Sequence, residues 1–170
     1  TVSLRWTRLP ARYFVNDAGV PGVTADQFRQ AVDSAFRTWE DVPTAAVRFQ
    51  FAGFTSAQPL DEDDMSTLGF LSQPELDRVL ASTNFLVDTR SGEILESDIF
   101  FNSAFQWSVA ENGEAGRFDV QSIALHEAGH FLAAKAVGIQ VLRFSLGFGR
   151  PLLAFKRGET EYWISWLPVG

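Results

Sequence analysis

The 170-residue chain has no cysteine, one methionine (Met65) and two histidines. Without cysteine there can be no disulfide framework, and that absence alone neither supports nor excludes secretion. Positive charge is also short. A formal net charge of −7 argues against nucleic acid or an anionic membrane as the main partner. No internal repeat and no low-complexity linker interrupts the chain, so one compact unit is expected at least as far as residue 132. No basic and apolar leader follows Thr1, so a signal peptide is expected to have been removed or never to have existed. What is abundant is apolar: 46% of residues are hydrophobic, with sixteen Phe and five Trp, enough to bury a core and to exclude disorder for most of the chain.

Because histidine is so scarce, its placement is informative. Both histidines fall in His126-Glu127-Ala128-Gly129-His130, the HExxH pattern. On a helix, residues four apart share one face, so two imidazoles can reach one zinc ion, with nitrogen to metal distances of about 2.0–2.1 Å. Glu127 then stands beside the metal as general base toward a water whose pKa the ion lowers. The implied chemistry is peptide-bond hydrolysis, with zinc as cofactor and a peptide or protein as substrate. The alternative is an ordinary amphipathic helix whose histidines meet no metal. A Ser-His-Asp hydrolase is disfavoured, since both histidines are already used.

The local pattern predicts that helix well. Asp119 is a good N-cap, Phe118 and Ile123 can form a hydrophobic staple, and Gly138 is a plausible stop, so the helix is expected to begin near Val120. Its length would cross a bilayer, but His126, Glu127, His130 and Lys135 make it a poor membrane span. Upstream, residues 12–16 read as a strand ended by Asn16-Asp17-Ala18-Gly19. A second helix is expected with a Thr24/Gln27 capping box, a Val23/Phe28 staple and an apolar stripe of Phe28, Ala31, Val32, Ala35, Phe36 and Trp39. Val47, Phe49 and Phe51 alternate as a strand, and another strand is expected over 93–101 after the turn at Arg90-Ser91-Gly92. Asp61-Glu62-Asp63-Asp64 could hold structural calcium, although it lacks EF-hand spacing and can equally be a solvated acidic run. Gly147 and Gly149 are expected at a hairpin bend rather than in a phosphate-cradling loop, since no Lys-Ser/Thr or helix N-terminus follows, and Trp163 and Trp166 could touch a membrane interface or a partner, although their alternation better suits a half-buried strand.

Taken in order, Arg12-Tyr13-Phe14-Val15-Asn16, the first helix ending in Thr38-Trp39, Gly92-Glu93-Ile94-Leu95-Glu96-Ser97-Asp98-Ile99-Phe100-Phe101-Asn102, and Phe118-Asp119-Val120-Gln121-Ser122-Ile123-Ala124-Leu125 resemble bacterial matrixin-type metalloproteases of the metzincin group. The likeness covers about residues 4–132. It implies an α+β, zincin-like fold: a twisted sheet beside a long first helix, an active-site helix beneath, a substrate cleft between, and a secreted or periplasmic setting.

The likeness then stops. The metzincin pattern continues to a glycine and a third zinc-binding histidine, followed by a methionine turn. Ala133 and Ala136 occupy those two positions, and the only methionine precedes the motif. From residue 126 to 170, Val141-Leu142-Arg143-Phe144-Ser145-Leu146-Gly147-Phe148-Gly149, Gly158-Glu159-Thr160-Glu161-Tyr162-Trp163-Ile164-Ser165 and Leu167-Pro168-Val169-Gly170 resemble site-two-type intramembrane proteases. That second likeness implies transmembrane helices and a third ligand, an aspartate, in a later one. The chain therefore reads as a hybrid that is a natural fusion, a mis-assembled reading frame or an artificial sequence, or as part of a longer parent. Two units are expected, a matrixin-like domain over 1–132 and, over 133–170, the end of the active-site helix followed by a β-rich segment packed on the same unit. Zinc usually takes three protein ligands. Glu159 or Glu161 could supply the third, or be strand surface charges. Failing that, the site is incomplete and the protein acts, if at all, through binding.

Overall fold

A computed structural model describes residues 6–43, 47–88, 90–133, 143–146, 148–157 and 160–167, with side chains described through residue 130. The elements run β1 (Ala11–Asn16), α1 (Ala25–Glu40), β2 (Phe49–Thr55), β3 (Thr67–Leu71), β4 (Ala81–Val87), β5 (Ile94–Asn102), β6 (Trp107–Ser108), β7 (Phe118–Asp119), α2 (Val120–Ala133), β8 (Arg143–Leu146), β9 (Phe148–Arg157) and β10 (Thr160–Leu167). The architecture is mixed α+β.

The first helix forms where its local signals agree. Thr24 accepts from the Gln27 N–H and Gln27 Oε1 accepts from the Thr24 N–H, closing the capping box. Phe28, Ala31, Val32, Ala35 and Phe36, at helical spacing, are all buried. They lie against a five-stranded sheet ordered β2-β1-β3-β5-β4, in which β1, β2, β3 and β5 are parallel and β4 alone runs antiparallel, at the edge.

Alternation selects the sheet face that meets the helices. Tyr13 and Val15, Leu68 and Phe70, and Ile99 and Phe101 join α1 residues and Val120, Ala124 and Ala128 of α2 in one core. Aromatic edges organise it, with Phe28 near-perpendicular to Phe101 at 4.9 Å and Tyr13 to Phe36 at 5.0 Å. The Tyr13 hydroxyl donates to Asp33 of α1, and burial, reinforced by that carboxylate, pushes the phenol pKa well up.

The loop between β2 and β3 lies near the carboxylates of Glu96 and Asp98, which are buried side chains of β5. Asp98 accepts from the N–H groups of Leu60 and Thr67, and Glu96 from those of Asp63 and Asp64. Gly69 is required by a close approach: a Cβ there would sit 2.6 Å from the Asn16 Cβ. The loop from β3 to β4 is wired to a different side chain, Asn102 at the end of β5. Its Nδ2 reaches the carbonyls of Gln73, Leu76 and Val79, while its Oδ1 accepts from the N–H groups of Gln73 and Ala104.

The C-terminal strands form a separate three-stranded sheet ordered β8-β10-β9. This corrects the expectation of a hairpin at Gly147 and Gly149: β8 and β9 flank β10 and are not paired with one another. One residue separates them, too few for a two-residue hairpin loop, and the antiparallel pair is β9 with β10. Gly147 itself, and the expected helix stop Gly138, lie outside the described residues.

Candidate metal centre

The helix α2 starts as its sequence specifies, with Asp119 Oδ2 accepting the Ser122 N–H at 2.7 Å. It then runs without a break through residue 133. Ala133 is thus helical, as a helix-favouring residue should be.

Along α2 the three residues of the motif divide between two faces. His126 and His130 are exposed, and Glu127 is buried at 3% exposure. The two Nε2 atoms stand 3.0 Å apart, with the rings near-perpendicular at 79°. Two nitrogens on one tetrahedral zinc lie about 3.3 Å apart, given bonds of about 2.0–2.1 Å. The pair therefore fits a shared ion almost without adjustment. A ligand atom from each of His126, Glu127 and His130 lies within 4.8 Å of the other two, and among the described residues no other group of three His, Cys, Asp or Glu side chains comes together in this way.

Two elements hold the helix in place. From α1, the Trp39 Nε1 donates to the Leu125 carbonyl at 2.9 Å. The Trp39 ring covers Gly129, where an added Cβ would approach Cζ2 to 3.2 Å. Small residues between the histidines thus let α1 and α2 pack closely. From the sheet edge, the Thr83 hydroxyl of β4 lies 2.7 Å from Glu127 Oε2 and 3.2 Å from the Glu127 carbonyl oxygen. Thr83 was not singled out from sequence, since nothing local marks a threonine whose partner lies 44 residues away.

Other candidates fall elsewhere. Asp61, Glu62, Asp63 and Asp64 do not converge on a common point, so structural calcium is not supported. Asp61 and Asp63 instead accept the N–H groups of Gln58 and Met65, as turn residues do. A cavity is lined by Leu60, Glu62, Asn84, Phe85, Leu86, Glu96 and Asp98, with no residue of α2 in its wall. Burial pushes up the pKa of both Glu96 and Asp98. The charge of Asp98 adds to the rise at Glu96, and those of Asp63 and Asp61 to the rise at Asp98. Glu159 and Ala136 lie outside the described residues. Glu161 is described only by its place in β10, opposite Lys156 and beside Arg143 in register.

The matrixin family profile matches residues 5–135, 131 of the 170 residues. The chain belongs to the matrixin family. A second profile, that of peptidase family M50, matches residues 120–170, so the two overlap on α2 and the three motif residues. This matrixin chain is also similar to proteins named as zinc metalloproteases. One, from Synechocystis and provisionally so named, is 58% identical over 48 residues, 28% of this chain and 13% of the relative. Another with a provisional name, from Neisseria meningitidis, is 46% identical over 48 residues, 28% of this chain and 11% of the relative. The zinc metalloprotease Rip1 of Mycobacterium tuberculosis is 47% identical over 49 residues, 29% of this chain and 12% of the relative. The matched stretch is thus little more than a tenth of each relative's length. Among the described residues no helix is long and apolar enough to cross a membrane. None of these matches supports the secreted or periplasmic setting expected from the matrixin likeness.

Proposed function

We propose that the chain is a zinc-dependent metalloendopeptidase unit in which His126 and His130 hold the ion and Glu127 is the general base. The observation that carries this is the 3.0 Å separation of the two imidazole nitrogens with the Glu127 carboxylate beside them. Zinc bound there would supply a Lewis acid and bring the pKa of a coordinated water from 15.7 to roughly 7. Glu127, one face of its carboxylate held by Thr83, takes the proton from the attacking water and passes it to the leaving amine. His126 and His130, exposed on the same side of α2, leave room for a carbonyl to approach.

The sheet edge supplies a substrate track. Among the described residues β4 pairs with β5 on one side and with no strand on the other, and its Thr83 touches the base. An extended peptide can add to such an edge through backbone hydrogen bonds, which places its scissile bond over α2. On this reading the fold is zincin-like. Residues 1–132 form the matrixin-like unit and 133–170 a β-rich unit related to site-two proteases.

A second reading draws on the family M50 match over 120–170: the chain is part of a membrane-embedded protease whose third ligand lies in another segment. In both readings two histidines alone make a weak zinc site, and a third ligand is needed for full affinity. Calorimetric titration of metal-stripped protein with zinc, beside the His130→Ala variant, tests this. One zinc per chain at sub-micromolar affinity, lost on substitution, is expected of a complete site. Weak or absent uptake refutes a self-sufficient peptidase and leaves a matrixin-like shell with an incomplete centre. With uptake shown, Glu127→Gln is expected to abolish peptide cleavage with zinc binding retained, and preserved cleavage removes Glu127 as the base.

A further inference from the structure

Glu127 is an unusual neighbour for two exposed histidines because it is nearly sealed from water, at 3% exposure. A buried carboxylate is costly unless something compensates it. Among the described residues one side chain hydrogen-bonds it, the Thr83 hydroxyl at 2.7 Å. The other available compensation is a cation held by His126 and His130, whose ring nitrogens are within 4.8 Å of a Glu127 carboxylate oxygen.

Those two compensations compete for the same side chain. The described group offers two imidazoles, whereas a catalytic zinc normally has three protein ligands. A carboxylate this close is the obvious candidate to fill the gap. Once bound to the ion it would no longer have that lone pair free to accept a proton from water. We propose that Thr83 is a positioning residue that holds Glu127 back from the metal, so that the carboxylate serves as base rather than as ligand. The proposal rests on the assignment of Glu127, His126 and His130 made above. It adds a specific restraint, supplied from the edge strand, 44 residues earlier in the chain.

The hydroxyl is well suited to this role. It bonds Oε2 and also lies 3.2 Å from the backbone oxygen of Glu127, so it fixes the side chain relative to its own helix as well as to β4. Valine has nearly the same shape and suits a strand, so Thr83→Val removes the bond with little other change. Serine keeps the hydroxyl and removes the methyl.

Zinc titration by calorimetry of the metal-stripped chain, Thr83→Val, Thr83→Ser, and the double variant Thr83→Val with Glu127→Gln reads the effect without relying on turnover. Thr83→Val is expected to bind zinc about tenfold more tightly than the unsubstituted chain, the scale typical of changes around a metal ligand set. Thr83→Ser is expected to match the unsubstituted chain, and the double variant to lose the gain. In a peptide cleavage assay Thr83→Val is expected to lower kcat about 10–100-fold with KM unchanged. Unchanged zinc affinity in Thr83→Val overturns the proposal. So does a gain that persists in the double variant, or one shared by Thr83→Ser, since neither then depends on the hydroxyl acting through Glu127. Failure of the underlying assignment looks different: no zinc uptake by the unsubstituted chain, or full cleavage by Glu127→Gln alone.

Discussion

Replacing Asn102 with alanine should cost more stability than almost any other single polar substitution in the chain. The side chain is fully buried, and its two N–H donors serve three carbonyls, those of Gln73, Leu76 and Val79, at 2.8, 3.1 and 3.2 Å. Its oxygen serves two N–H groups, those of Gln73 and Ala104, each at 3.1 Å. Two donated and two accepted bonds at a net 0.5–1.5 kcal/mol each give about 4 kcal/mol, and water entering the exposed 72–78 loop recovers part of it, leaving about 3 kcal/mol. With a urea m value of about 2 kcal/mol/M for a domain of this size, the unfolding midpoint should fall by roughly 1.5 M. Asn102→Asp should be at least as damaging, because it keeps the acceptor but turns a carboxylate toward three carbonyl oxygens. A midpoint shift below about 0.5 M for alanine, or an aspartate variant as stable as the parent, would refute the claim that donation from this amide organises the loop leading into β4.

Two further outcomes are expected. Gly129→Ala would gain about 1 kcal/mol in an unconstrained helix. Here the new methyl meets Trp39 at 3.2 Å, and the indole is tied to the Leu125 carbonyl, so thermal melts should show no stabilisation. A gain of the full propensity value would show that Trp39 is free to move. The second concerns pH. Glu96 and Asp98 have pKa values raised in the folded chain, chiefly by burial, so the native state binds their protons more readily than the unfolded chain does. Their contribution to stability is therefore complete in acid, below the ordinary carboxylate range, and is lost as pH rises through the raised folded values. Glu96→Gln, which can still accept from Asp63 and Asp64, should flatten that decline in urea titrations run from acidic to neutral pH. An equally steep decline in the variant would assign it to other groups.

What the sequence revealed and what it concealed follow a physical division. The α1 helix was legible because its capping box, staple and stripe are all local, and the structure begins it at Ala25 as those residues require. The start of α2, and β1 and β5, were legible for similar reasons. β3 and β4 were not. Four of the five residues of β3 are buried, so there is no polar alternation to count, and β4 opens on Ala81-Ser82-Thr83-Asn84, a polar stretch that reads as loop until β5 pairs with it. In the site, the two histidines and Glu127 announced themselves by spacing. Thr83 and the grip of Trp39 on Leu125 join segments 44 and 86 residues apart, contacts that no local pattern encodes.

The loop between β2 and β3 is gripped by its peptide groups. Leu60, Asp63, Asp64 and Thr67 each present only an N–H to the two carboxylates on β5. Any amino acid except proline offers that same group. Backbone shape still selects among them: Leu60 and Asp64 hold φ angles of 78° and 63°, where glycine, asparagine and aspartate are least strained, and the Asp63 side chain accepts the Met65 N–H, so asparagine or glycine should be tolerated at 60 and 64 and asparagine at 63. What limits this segment is thus the path its backbone must follow between the two carboxylates, and sequence can vary along it only as far as that path allows.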